Sequence, residues 1–265
     1  IMDLALQGGG SHGAFTWGVL DALLEDGRLQ FEGITGASAG AMNAVVMADG
    51  WARAKAAGRD PREGARERLS LFWNAMTVQS SPFSAAPGLK GFPGLPAMGW
   101  AMPPAAREAL SFNPMALWFD VLSRMFSPYQ LNPMNFNPLE AVLKPLIDFD
   151  RLREASPFKL FVCATNVRTG RARIFRDHEL RLEMLLASAC LPFTFQAVEV
   201  DEALSDGSVQ RHHYWDGGYM GNPALFPLNH GTKTHDVLLV QINPLVRDEV
   251  PDTSQEIVER ANEIS

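Results

Sequence analysis

The chain has 265 residues, enough for one large domain with a substantial buried core or for a domain carrying an elaborate insertion. Its apolar fraction of 46% and charged fraction of 20% are ordinary for a globular protein. The net charge of −7 argues against nucleic acid as the main partner, because phosphate binding needs clustered Lys and Arg; a membrane surface stays open, since an apolar patch drives that contact without net positive charge.

Residues 2–7 form a short apolar strand that ends in a glycine cluster. Residues 14–26 read as a helix, with Phe15, Val19, Ala22 and Leu23 at helical spacing. A second strand at 31–35 runs into Gly36-Ala37-Ser38-Ala39-Gly40 and a small-residue helix to about Ala48. Strand, helix, strand, helix in that order predicts a parallel sheet with right-handed crossovers. A further helix from Pro61 to about Met76 starts with Asp60 as N-cap, Pro61 at N1 and Glu63 to complete a capping box.

Residues 77–138 differ from the rest. They hold 10 of the 18 prolines and 6 of the 16 phenylalanines, are rich in methionine, and carry five charges: Lys90, Arg107, Glu108, Asp120 and Arg124. Pro93, Pro96, Pro103 and Pro104 break the longest uncharged run, so no transmembrane helix fits there. One reading is a buried, irregular connection. The other is a lid whose apolar face meets acyl chains or a lipid surface, because long irregular segments are unusual unless functional.

The α/β pattern then resumes. A strand at 158–165 and another at 171–176 flank the Thr169-Gly170 turn and suggest a hairpin. Residues 179–189 read as helix, 194–200 and 209–215 as strands around Asp206-Gly207, and 236–242 as an apolar strand of the buried parallel kind. Cys163 and Cys190 read as reduced core thiols, with neither a disulfide framework nor a zinc site, which fits a reducing cytoplasm. There is no signal-peptide pattern. Both ends read as cut, since Ile1 precedes Met2 and the helix from Gln255 lacks a C-cap signal, so the chain is expected to continue past Ser265.

Three motifs carry chemistry. Gly36-x-Ser38-x-Gly40 lies between a strand and a helix, the context of a nucleophile elbow, in which a strained turn presents the serine and the helix N-terminus faces developing negative charge. Gly8-Gly9-Gly10-Ser11-His12-Gly13 formally satisfies the dinucleotide-binding G-x-G-x-x-G, with Glu32 as the acidic ribose partner. Its better reading is an oxyanion hole, because consecutive glycines turn backbone N–H groups toward one point and let a carbonyl approach closely. Asp216-Gly217-Gly218 follows a strand and precedes Asn222-Pro223; taken alone, Asp-Gly is as well a hairpin turn.

These three blocks in this order, with Ala187-Ser188-Ala189-Cys190-Leu191-Pro192 resembling an A-S-x-x-x-P block ahead of the aspartate, resemble the signatures of patatin-like phospholipases over roughly residues 2–245. The resemblance implies a single domain over 1–265: a three-layer α/β/α sandwich with a mainly parallel central sheet and the 77–138 segment as insertion or lid. It further implies a Ser38–Asp216 dyad, hydrolysis of lipid or phospholipid acyl esters with no cofactor or metal, Gly8, Gly9 and Gly10 at the oxyanion, and Gly13, Gly36, Gly40, Gly217 and Gly218 as motif support. Peripheral membrane contact of a cytoplasmic protein is compatible with it. His12 departs from the family, many of whose members have Arg there. Three alternatives remain: an idle lipid-binding or scaffold protein of the same fold, a nucleotide-binding α/β protein, and an α/β-hydrolase in which His230 or His235 completes a Ser38–Asp216 triad.

Overall fold

The computed structural model describes residues 1–80, 127–203, 207–253, 256–257 and 260. Residues 81–126, the bulk of the expected lid, lie outside the described residues. Of that segment's flanks, 77–80 end a helix and 127–138 form a helical turn with a loop.

The strands are β1 (Met2–Leu6), β2 (Phe31–Ala37), β3 (Lys159–Asn166), β4 (Ala172–Arg176), β5 (Val198–Ala203), β6 (Val209–Asp216) and β7 (Val237–Val240). The helices are α1 (Gly13–Asp26), α2 (Ala39–Ala56), α3 (Pro61–Ser80), α4 (Pro128–Leu131), α5 (Pro138–Leu146), α6 (Phe149–Ala155), α7 (Leu182–Ser188) and α8 (Phe226–Gly231). The strands make one sheet in the order β5-β6-β3-β2-β1-β7, with β4 also paired to β3. β3, β2, β1 and β7 are mutually parallel, as expected of strands joined by crossover helices. The expectation of a mainly parallel sheet holds for this half. The other half is antiparallel: β4 returns from β3 through the predicted hairpin, and β6 and β5 form a second one.

Side-chain alternation divides the core between the two faces of the sheet. Leu4, Leu6, Ile34, Leu160 and Val162 meet α2 residues such as Val45, Val46 and Met47 on one face. Ala5 and Phe161 meet Leu228 of α8 on the other. α2 is buried along nearly its whole length, which explains its small residues: a Cβ on Gly50 would stand 2.4 Å from the Gly64 carbonyl oxygen of α3. α3 starts at Pro61 as predicted, with Asp60 accepting the Arg62 N–H at 2.9 Å, but Glu63 meets Arg66 at 2.9 Å instead of closing a capping box.

Three sequence readings need correction. The strand expected at 194–200 starts only at Val198 and runs to Ala203, with 194–197 in a turn and loop. In α1 the buried stripe is Gly13, Thr16, Leu20 and Leu24, and Phe15 is exposed, because Gly13 is fixed against Ala39 and Trp73 and sets the helix rotation. β7 is parallel to β1, its one partner among the described residues, but Val237 and Leu239 are exposed because no described helix covers that face beside them. Among the described residues no helix is long and apolar enough to cross a membrane.

Candidate active site

Strand register brings the motifs together. Parallel β1 and β2 end side by side, with Leu6 opposite Gly36, so the glycine loop and Ser38 emerge at the same edge. β3 is the next strand, with Ala37 opposite Cys163 and Ala164 opposite Asp216. β6 runs against β3 and stops halfway along it, which brings its last residue level with the end of β2.

Ser38 has φ 51° and ψ −126°, outside the regions that non-glycine residues ordinarily occupy. The surroundings hold it there. A Cβ on Gly40 would stand 2.1 Å from the Leu6 carbonyl oxygen, and one on Gly36 2.6 Å from the Gly40 carbonyl carbon, so only glycine permits a turn this tight. The Ser38 N–H donates to both the carbonyl oxygen of Ser188, at 3.0 Å, and its Oγ, at 3.1 Å. Ser38 itself remains half-buried and reachable.

Asp216 is 4% exposed. Its Oδ1 accepts the Gly218 N–H at 2.7 Å, and its own N–H donates to the Cys190 carbonyl at 2.8 Å. Oδ2 is buried and has no hydrogen-bond partner of ordinary geometry among the described residues. The Ser38 hydroxyl is nonetheless near enough to act on the carboxylate. Burial pushes the Asp216 pKa up, and the Gly218 N–H and the Ser38 hydroxyl draw it partly back. Both cysteines are buried, as the sequence suggested, and both lie near enough to this carboxylate to feel its charge. Desolvation, with Asp216 adding to it, pushes Cys163 up to about 12 and Cys190 to about 11, so both stay thiols.

The glycine loop is held from outside itself. The Gly8 N–H donates to Asn222 Oδ1 at 2.6 Å, and Asn222 Nδ2 donates to the Gly8 carbonyl at 3.1 Å. Of the three glycines expected to supply oxyanion donors, Gly8 is therefore already engaged. The Gly9 carbonyl accepts the His12 N–H at 3.1 Å. The N–H groups of Gly9 and Gly10 have no acceptor among the described residues. Gly10 has φ +56°, and Gly13 packs directly on Ala39 at the start of α2. Buried Asn43 ties these pieces together, donating to Gly13 and Ala39 carbonyls at 3.0 and 3.1 Å and accepting from Trp73 Nε1 at 2.9 Å. Gly217 and Gly218 form the turn after Asp216, where a Cβ on Gly217 would collide with the Cys163 carbonyl at 2.0 Å.

The alternatives fare poorly. Glu32 sits at the start of β2, at the edge opposite the glycine loop, and is occupied by Lys159 Nζ at 2.8 Å and the Lys233 N–H at 3.0 Å. It lines a cavity of about 680 Å³ with Phe31, Phe158 and Lys159, away from Ser38. His230 and His235 are exposed and belong to the same far edge: Thr232 bonds Asp3 near the start of β1, and Val237 pairs with Asp3. His213 is engaged with Glu199 at 3.3 Å and His212 with Asn166 at 3.4 Å. No imidazole bonds Ser38 or Asp216.

The patatin-like phospholipase family model matches residues 4–228. The chain belongs to the patatin-like phospholipase family. No curated protein sequence gives a significant match. Among solved structures, the chain is similar to the crystal structure of VipD from Legionella pneumophila, at 18% identity and a TM-score of 0.42, over 90% of this chain and 49% of that one. The chain thus spans about half the length of that protein. Sequence reading did not single out Asn222 or Asn43 for their contacts. It quoted Ser188 only as part of a block and gave Cys190 no role beyond that block and a core thiol, although the block holds the backbone of both Ser38 and Asp216.

Proposed function

We propose that this patatin-like chain is a serine lipid acyl hydrolase in which Ser38 is the nucleophile and Asp216 its base. The observation that carries the reading is the buried Asp216 carboxylate, drawn on by the Ser38 hydroxyl and with Oδ2 free of any other hydrogen bond among the described residues, beside the strained, accessible Ser38. A buried carboxylate oxygen short of partners costs stability, and groups held at such a cost concentrate at functional sites.

In this mechanism Ser38 Oγ adds to the ester carbonyl carbon and its proton passes to Asp216. The carbonyl electron pair moves onto oxygen, where the Gly9 and Gly10 N–H groups and the N-terminus of α2 stabilise it. The intermediate collapses, the C–O bond to the alcohol breaks, and the alkoxide leaves with the proton from Asp216. Water then gives a proton to Asp216 and attacks the acyl-serine; the acid departs and Ser38 is reprotonated. A free aspartate, with a pKa of about 3.9, is a weak base for serine. Burial raises it toward the task, which is why the base sits under protein and the nucleophile does not.

Exposed apolar side chains follow the site segments closely in sequence: Phe15 after Gly13, Leu191 and Phe193 after Cys190, Tyr219 and Met220 after Gly218. They support lipid esters presented by an aggregate or a membrane surface as substrate. The test is Ser38→Ala, which should remove hydrolysis of a short-chain nitrophenyl ester and labelling by a fluorophosphonate with the circular dichroism spectrum unchanged. Labelling that persists in the folded variant would mean another nucleophile. A folded wild type that turns over no ester would favour an idle lipid-binding protein.

A further inference from the structure

We propose that Asn222 is a positioning residue for the oxyanion loop, its carboxamide fixing the Gly8–Gly9 peptide so that the Gly9 N–H is presented to the reacting carbonyl. This rests on the reading of Ser38 as nucleophile.

The geometry is specific. Asn222 Oδ1 accepts the Gly8 N–H at 2.6 Å and Nδ2 donates to the Gly8 carbonyl at 3.1 Å, so one side chain holds both polar groups of one residue. The Gly8 carbonyl shares a planar trans peptide with the Gly9 N–H, and the two point in opposite directions. Holding the carbonyl toward Asn222 therefore turns the Gly9 N–H away from it. That N–H has no acceptor among the described residues, while Gly9 is half-buried. The following peptide is held in the same manner by the His12 N–H on the Gly9 carbonyl, which orients the Gly10 N–H.

Such an anchor is needed because Gly8-Gly9-Gly10 has no side chain with which to resist a peptide flip. Gly8 cannot be replaced by a stiffer residue, since a Cβ there would stand 2.6 Å from the Ala37 carbonyl oxygen and 2.8 Å from Ser38 Cβ. The restraint must come from elsewhere, and it must both donate and accept in one plane, which a carboxamide does. Asn222 also lies six residues after Asp216, beyond the Gly217-Gly218 turn that holds Oδ1. The base and the oxyanion loop are thus joined through one segment, so they keep register with each other.

The test uses the whole chain and a trifluoromethyl ketone bearing an acyl tail. Ser38 Oγ adds to its carbonyl carbon, the proton passes to Asp216, and the ketone oxygen becomes the oxyanion. With glycine amides labelled by nitrogen-15, adduct formation should move the Gly9 proton resonance downfield and leave that of Gly8 nearly unchanged. Asn222→Asp keeps the acceptor for the Gly8 N–H but loses the donor to its carbonyl. It and Asn222→Ala should lower kcat by about 10²-fold with KM nearly unchanged, and weaken the ketone in parallel. The inference is overturned if the Gly8 resonance moves and that of Gly9 does not, a measurement that needs no variant. It is equally overturned if a folded variant keeps kcat within about threefold, or if its loss lies in KM alone. Failure of wild-type Ser38 to form any adduct would overturn the nucleophile assignment as well, which separates the two outcomes.

Discussion

The two halves of the sheet are stabilised differently. In the parallel half, β1, β2 and β3 are buried almost end to end, and their cohesion comes from apolar packing against α2 and α8. In the antiparallel half, β5 and β6 alternate between exposed, half-buried and buried residues and are tied by polar contacts. Arg173 reaches Glu179 and Glu202 at 2.7 and 2.8 Å, Tyr214 bonds Glu202, and Arg211 meets Asp201 at 2.8 Å. The candidate nucleophile and oxyanion loop belong to the first half, and the candidate base to the end of the second. The difference teaches that the serine is held by close backbone packing, whereas the aspartate ends a strand that pairs with the packed half through β3 and adds Tyr214 to the shared core.

The largest expected effect tests whether chemistry is shared between the halves. Asp216→Asn should lower kcat by about 10³-fold or more, because an amide takes no proton from serine. It should not lower stability at neutral pH. Burial raises the folded-state pKa of Asp216 above its unfolded value, so the folded state binds the proton more tightly. That contribution favours folding at low pH and is lost as pH rises from the unfolded pKa through the folded one. Asparagine avoids the buried charge, keeps an acceptor for Gly218, and should give a Tm at pH 7 equal to or above wild type. By the same shift, wild-type kcat/KM should rise with pH through an apparent pKa above the ordinary carboxylate value of about 4. A rise centred at or below that value, or a Tm that falls in the asparagine variant, would break the assignment of a desolvated base.

Next in size is the packed half. Gly40→Ala places a Cβ 2.1 Å from the Leu6 carbonyl oxygen, which only backbone movement of β1 or α2 relieves. The expected loss is about 3 kcal/mol by denaturant unfolding, with the elbow displaced and Ser38 labelling slowed. In the antiparallel half, Arg173→Met should cost only about 1 kcal/mol, since its ion pairs are partly exposed and its aliphatic stem is kept. Similar losses from both substitutions would erase the contrast between the halves.

How much was legible in the sequence follows the same division. The elbow and the glycine loop were readable because each is a short run whose residue types are dictated by local backbone geometry: Gly36 and Gly40 by close approach, Gly10 by its positive φ. The β3–β4 hairpin was readable from Thr169-Gly170 between two strand-like runs. Asp216 needed the resemblance, because an Asp-Gly pair alone is a turn, and the antiparallel course of β6 that sets its register leaves no mark in periodicity. Asn222 and Gly8 are 214 positions apart, and nothing in either residue type announces the other. The rotation of α1 was misread for a similar reason: Gly13 against Ala39 and Trp73 decides it, a contact with no local signal.

The smallest expected effect concerns the histidines, and it decides between a dyad and a triad. A triad base must hydrogen-bond the nucleophile and be oriented by the acid. Asp216 Oδ2 is buried with no such partner, and no histidine contributes to its pKa. His230 and His235 lie exposed at the edge of the packed half opposite Ser38. Reaching the site would require α8 to leave Ala5 and Phe161, where Leu228 is 2% exposed. His212 and His213 belong to the antiparallel half and are engaged with Asn166 and Glu199. Replacing each of the four by Ala should therefore change kcat by less than about tenfold on a soluble ester, against about 10³-fold for Asp216→Asn. A loss from His230→Ala or His235→Ala as large as that from the aspartate would require the two edges of the sheet to meet during turnover, which the register of β1 with β7 forbids without unpairing the edge strand.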